Sequence, residues 1–176
     1  MSRGLARDIP AEPYDPREPV VAVVALGANL GDRAATLAAA VEDLWALPLV
    51  DDVRVSEPVD SVAVRLSGPD PDAPAYLNAV ALVTTRLAPS ILLSYLHAIE
   101  VRHGRERRER WGDRTLDLDL VAYGDARSDD PALTLPHPRA AERDFVLAPW
   151  LSLDPDAELP GRGRVDALLA GLRGRA

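Results

Sequence analysis

The chain's 176 residues are 47% hydrophobic and 27% charged, the make-up of one globular domain, and the lack of Cys excludes a disulfide framework, a thiolate metal site and a Cys nucleophile. The net charge of -8 argues against a protein that coats nucleic acid or an anionic membrane, no apolar run approaches the ~20 residues of a membrane span, and the opening stretch carries no apolar signal core, so a cytoplasmic protein is expected. All 20 basic residues are Arg, which excludes a P-loop or Schiff-base lysine and makes any phosphate clamp a guanidinium one.

Residues 1–18, rich in Pro and charge, are expected to form an extension, with residues 19–176 as a single domain. VVAVVAL (Val20 to Leu26) predicts a strand covered on both faces, broken by Gly27 to Gly31. Asp32 is placed to cap a helix running to about Leu47, with Leu37, Val41, Leu44 and Trp45 inward, and Pro48 stops it. Val50 to Val59 predicts a second strand, Asp60 to Pro74 a loop without period, and Tyr76 to Arg86 a third strand. Pro89 suits a first helical turn, and Ile91 to His103 reads as a helix with Leu92, Leu96 and Ile99 inward, ended by Gly104.

After the polar segment Gly104 to Arg114, Thr115 to Tyr123 alternates as a strand. Pro131 to Pro138 reads as a Pro-bounded loop, Ala140 to Leu151 as a short helix and Val165 to Leu172 as a last one. The order strand-helix-strand-strand-helix-strand predicts an α+β, ferredoxin-like βαββαβ core: a mainly antiparallel sheet with helices packed on it, and C-terminal helices added.

Thr115-Leu-Asp-Leu-Asp-Leu120 concentrates the chemistry. Alternation puts Asp117 and Asp119 on one face, about 6–7 Å apart, and the leucines on the other. Mg²⁺ accepts one or two carboxylates, completing its shell with water and phosphate. A bare D-x-D is also what an amphipathic strand with a wet polar face looks like. Here Arg105, Arg107, Arg108, Arg110 and Arg114 precede the strand, with Trp111 among them. Guanidinium groups beside an acidic pair are what a polyphosphate site needs. His137 stands between Pro136 and Pro138, whose rings restrict the backbone around it. Tyr76 and Asn78 share one strand face, and Asn offers both donor and acceptor to a heterocycle edge.

Arg110-Trp-Gly-Asp-Arg-Thr-Leu-Asp-Leu-Asp119 resembles the signature of the 6-hydroxymethyl-7,8-dihydropterin pyrophosphokinase family of folate biosynthesis. Leu26-Gly-Ala-Asn-Leu-Gly-Asp-Arg33, Tyr76-Leu-Asn-Ala79, Ile99-Glu100 and Leu133-Thr-Leu-Pro-His-Pro138 follow the same family in order, between about Val20 and Leu172. The resemblance implies transfer of the diphosphate of ATP to the hydroxymethyl group of the pterin, with release of AMP; a monomer that acts on small molecules, and not on nucleic acid or membrane, is expected. It implies that Asp117 and Asp119 bind two Mg²⁺ ions and act in catalysis with Arg105 and Arg114. It places His97, Glu100, Arg105, Arg107, Trp111, Arg114, Leu120, Thr134, His137 and Arg143 at ATP. Ser56, Glu57, Val59, Tyr76, Asn78, Asp117 and Phe145 fall at the pterin, with the two rings sandwiching the bicycle. A different two-metal nucleotidyl- or phosphoryl-transferring enzyme with a palm-like ferredoxin fold is the alternative; it calls for a basic groove, which the overall charge opposes.

Overall fold

The computed structural model describes residues 18–61, 63–65, 68–70, 75–104 and 115–175. The chain runs β1 (Val20–Ala28), α1 (Arg33–Trp45), β2 (Val50–Val55), β3 (Val59–Ser61), β4 (Ala63–Arg65), β5 (Gly68–Asp70), β6 (Tyr76–Thr85), α2 (Pro89–Arg102) and β7 (Asp117–Tyr123). The main sheet has the order β2-β6-β1-β7, with β3 also on β6, and every pairing is antiparallel. Each helix joins strands that are not neighbours: α1 carries the chain from β1 past β6 to β2, and α2 from β6 past β1 to β7. This is the ferredoxin-like βαββαβ arrangement, as the order of elements predicts.

β1 lies in the middle of the sheet and is covered on both faces. Ala22, Val24, Leu26 and Ala28 join a core with Leu37, Leu44, Leu92, Leu96, Ile99 and the leucines of β7, while Val23 joins a second core on the opposite face. A long apolar β-branched run is the sequence form of such a doubly covered strand. Gly27 does not break β1; the strand continues to Ala28, because Gly27 pairs with Asn78 on one side and Asp117 on the other.

Asp32 caps α1 as predicted, its Oδ1 accepting from Ala35 N at 3.0 Å. Asp32→Ala is expected to cost about 1 kcal/mol, a loss of about 2–4 °C in the thermal midpoint. Leu37 and Leu44 are buried, but Trp45 is 48% exposed. It is the last residue of α1, one position round the helix from Leu44, and that rotation carries it off the buried stripe. Pro89 opens α2, with Leu92, Leu96 and Ile99 buried as expected. Among the described residues no helix is long and apolar enough to cross a membrane.

The structure departs from the predicted elements where the paired segments are short. The predicted strand Val50 to Val59 is interrupted after Val55. Ser56 continues the pairing by itself, donating from its N to Val80 O at 2.9 Å and accepting at Oγ from Val80 N at 3.0 Å. Pro58 has no N–H to add. The predicted loop Asp60 to Pro74 instead contains the end of β3 and a β4–β5 hairpin. The predicted loop Pro131 to Pro138 starts within a second hairpin, β8 (Ser128–Asp130) with β9 (Leu133–Leu135). Its turn is held by Asp130, whose Oδ1 accepts from Ala132 N at 2.8 Å and whose carbonyl accepts from Thr134 Oγ1 at 3.0 Å. Short paired segments of this kind are too brief to show a period.

The helix expected over Ala140 to Leu151 is divided into a 3₁₀ turn, Ala140–Glu142, and α3, Asp144–Leu153, with Arg143 extended between them. A small hairpin, β10 (Glu158–Leu159) with β11 (Gly163–Arg164), leads to α4 (Val165–Arg173). Val146, Leu147, Trp150, Val165 and Leu169 cover Val23, Val80, Leu82 and Val121. This second layer covers one end of the sheet face. The other end carries the polar residues described next.

Candidate functional site

Residues paired across an antiparallel ladder share a face. Gly27 is paired with Asn78 on β6 and Asp117 on β7, and Ala25 with Val80 and Asp119. Asn78, Gly27 and Asp117 therefore form one row across three strands, and Val80, Ala25 and Asp119 form the next. Leu116, Leu118 and Leu120 point the other way and are at most 4% exposed. Their burial against α2 orients the two carboxylates. Further along β7 the alternation breaks at a bulge, where Val23 pairs with Ala122 and Val24 with Leu120. The bulge lies beyond Asp119 and leaves the D-x-D register intact.

Among the described residues β7 lies at one edge of the main sheet, and its outward N–H groups need partners. Glu100, 1% exposed on α2, accepts from Leu118 N at 2.8 Å through Oε1. The residue between the two carboxylates is thus tied to the helix layer by a buried acidic side chain.

Two cationic or protic groups converge on Asp119. Arg143 Nη1 donates to Asp119 Oδ2 at 3.0 Å, and its guanidinium lies 5.9 Å from the centroid of Phe145. The extended backbone at Arg143, which divides the predicted helix, is what aims this side chain. Its carbonyl accepts from Val146 N and Leu147 N, both at 3.0 Å, and so starts α3. His137 Nε2 lies 3.9 Å from the same Oδ2. The ring is held from behind: His137 N donates to Val121 O at 2.8 Å, and Nδ1 accepts from Arg139 N at 3.2 Å. An accepting Nδ1 leaves the proton on Nε2, facing the acidic pair. Burial, Arg143 and Arg139 lower the His137 pKa below 6.5, outweighing Asp119 and Asp117, which raise it.

The other half of the site is Tyr76 and Asn78, at the uncovered end of β6. Asn78 is 6% exposed, and its Nδ2 donates to Ser61 Oγ at 2.7 Å. A Cβ at Gly27 would lie 3.2 Å from Asn78 Oδ1, a tight contact that the amide would have to yield to, and 3.6 Å from Tyr76 Cδ1, an ordinary one. Phe145 is half-buried against the second core.

The structure thus brings Asp117, Asp119, His137, Arg143, Phe145, Tyr76 and Asn78 to one end of one sheet face. Other expected residues have their side chains engaged inside the fold. Leu120 is in the first core, Ser56 holds Val80, and Thr134 donates to its own hairpin. Glu57 and His97 are exposed, and Val59 is half-buried on β3. Arg105, Arg107, Trp111 and Arg114 lie outside the described residues. Gly27, Ser61 and Arg139 have no place among the expected site residues. Gly27 read as a strand breaker, Ser61 fell in an aperiodic stretch, and Arg139 acts through its main chain.

Among the described residues no group of three or more His, Asp, Glu or Cys is placed to hold a metal ion. Among the described residues the donor set is the carboxylate pair. That suits a cation whose remaining ligands are water and substrate phosphate, as is usual for Mg²⁺, and fits poorly with a tightly held structural metal. A guanidinium already sits against Asp119, so this position accepts positive charge.

An antiparallel βαββαβ sheet that gathers an acidic pair, an arginine, a fixed imidazole, two aromatic rings and an amide at one end of one face defines the class: an α+β fold with a polar site on its sheet. Residues 23–155 match the family described as 7,8-dihydro-6-hydroxymethylpterin-pyrophosphokinase (HPPK), and the chain belongs to this family. It is 40% identical over 152 residues to the 2-amino-4-hydroxy-6-hydroxymethyldihydropteridine pyrophosphokinase of Pseudomonas aeruginosa, covering 84% of this chain and 88% of the relative. The protein of the same name from Synechocystis is 39% identical over 156 residues, covering 88% and 77%. The crystal structure of wild-type HPPK-DHPS from Plasmodium falciparum matches with a TM-score of 0.65 at 12% identity, covering 90% of this chain and 42% of that one. The chain thus spans less than half of that longer protein, and the likeness concerns the fold.

Proposed function

We propose that the chain transfers the diphosphate of ATP to the hydroxymethyl oxygen of 6-hydroxymethyl-7,8-dihydropterin and releases AMP. The observation that carries this reading is the row Asn78–Gly27–Asp117 across three strands, with Asp119 in the next row. A heterocycle-reading amide and an acidic pair are separated by a residue without a side chain, so a flat ring can place its substituent at the carboxylates.

The reaction forms a bond from the hydroxymethyl oxygen to the β-phosphorus and breaks the bond from that phosphorus to the oxygen that leaves with AMP; the hydroxyl proton is lost. Such an in-line displacement needs position and charge neutralisation more than a strong base. Asp117 and Asp119 would hold two Mg²⁺ ions, which supply charge neutralisation at the polyphosphate and acidify the hydroxyl. Asp119 need only orient the hydroxymethyl group or accept its proton late. Arg143 and the Nε2–H of His137 donate to phosphate oxygens from the α3 side. Tyr76 and Phe145 offer ring faces to the pterin, and Asn78 reads its edge. The resemblance supplies Arg105, Arg107, Arg114 and Trp111 as the rest of the ATP clamp.

Incubation with ATP, Mg²⁺ and the reduced pterin is expected to yield AMP and the pterin diphosphate in equal amounts. Release of ADP, or no nucleotide turnover, overturns the reading.

A further inference from the structure

Asn78 carries one feature that its place in the pocket does not by itself require. Three acceptors surround its Nδ2: Ser61 Oγ at 2.7 Å, Val59 O at 3.4 Å and Tyr76 O at 3.4 Å. Two of them are main-chain carbonyls, which can only accept. Turning the amide over would set Oδ1 against those oxygens and leave Nδ2 without them. The orientation is therefore dictated by the surroundings, and the short bond to Ser61 fixes the torsion. With the amino end occupied, Oδ1 remains on the Gly27 side, within 3.2 Å of where a Cβ would stand at that residue. That is the side shared with Asp117.

We propose that Ser61 is a positioning residue for pterin recognition: it holds the Asn78 amide so that the carbonyl oxygen, not the amino group, meets the substrate, and the edge docking there is a hydrogen-bond donor. The inference rests on the pterin reading above. A pterin has both kinds of edge, ring N–H and amino donors and a carbonyl acceptor. An acceptor fixed in place selects the donor side and rejects the ring turned over, which would set its carbonyl against Oδ1. Turned over, the bicycle would also point its hydroxymethyl group away from Asp117 and Asp119. Ser61 therefore acts on which way round the ring binds, at one remove from it. Gly27 complements it by leaving the space that Oδ1 occupies.

Ser61→Ala removes the short bond and leaves two long ones. The KM for the pterin is expected to rise about fivefold, the scale of one hydrogen bond, while the KM for ATP and kcat at saturating pterin stay within about twofold. Ser61→Thr keeps the hydroxyl in a residue suited to a strand and is expected to restore the pterin KM. Pterin binding without ATP, followed by the fluorescence of the pterin itself, should show the same ratios. An unchanged pterin KM in Ser61→Ala, an equal rise in the KM for ATP, or failure of Ser61→Thr to restore binding overturns the proposal. A wild-type protein that binds the pterin but releases no AMP defeats the reaction and leaves the Ser61 comparison to be decided by binding. A wild-type protein that binds no pterin defeats both.

Discussion

Asp119→Ala and Asp117→Ala are each expected to cut AMP release by at least about 10²–10³-fold, the scale of removing one element of a preorganised electrostatic site, while the protein stays folded. The separation of activity from stability follows from where the residues sit. Both side chains are on the uncovered face, and the Asp119 side chain is 30% exposed. Its contact with Arg143 is a part-exposed ion pair, worth at most about 1 kcal/mol. Removing either carboxylate also relieves repulsion between two like charges on one strand. The thermal midpoint should therefore move by no more than about 3 °C.

The asparagine variants test charge against shape. Asp119→Asn can still accept from Arg143 but no longer offers a full negative charge to a cation. If charge is what matters, its turnover falls nearly as far as that of the alanine variant; if shape suffices, it keeps most of its activity. Quantifying AMP across a Mg²⁺ titration checks both. Should either alanine variant stay within tenfold of wild type, the acidic pair is not the cation seat.

The features legible in the sequence are those with a period. The unbroken apolar run of β1 predicted a strand covered on both faces, and its residues do divide between the two cores on opposite faces of the sheet. The Leu-Asp alternation predicted the opposed faces of β7, and the cap at Asp32 predicted the start of α1. The features that were not legible depend on contacts between distant residues. Arg143 reaches Asp119 across 24 positions because the backbone is extended at a point the periodicity assigns to a helix. Ser61 meets Asn78 across 17 positions from a three-residue strand. Gly27 looks like punctuation in one dimension. In the sheet it is the gap between the two halves of the site, a role defined only once its partners on both sides are known.

Glu100 shows the same limit and gives the other large expected effect. Resemblance places it at the nucleotide, whereas the structure adds a bond to Leu118 N across 18 positions. Glu100→Ala should therefore damage stability first. It leaves a main-chain N–H buried without that acceptor and opens a cavity beside Leu118, together costing about 2–4 kcal/mol, or about 4–16 °C in the thermal midpoint. Glu100→Gln keeps an oxygen for the same bond and should cost about 1 kcal/mol or less. Activity should follow the same order, because Leu118 stands between Asp117 and Asp119 and a shift of its main chain moves both carboxylates. Thermal melts rank the variants, and hydrogen exchange at the Leu118 amide identifies the cause. That amide should exchange faster in Glu100→Ala, while in Glu100→Gln it stays close to wild type. Equal exchange in all three proteins would mean that the Glu100 bond does not hold the strand, and the loss of stability would then need another origin.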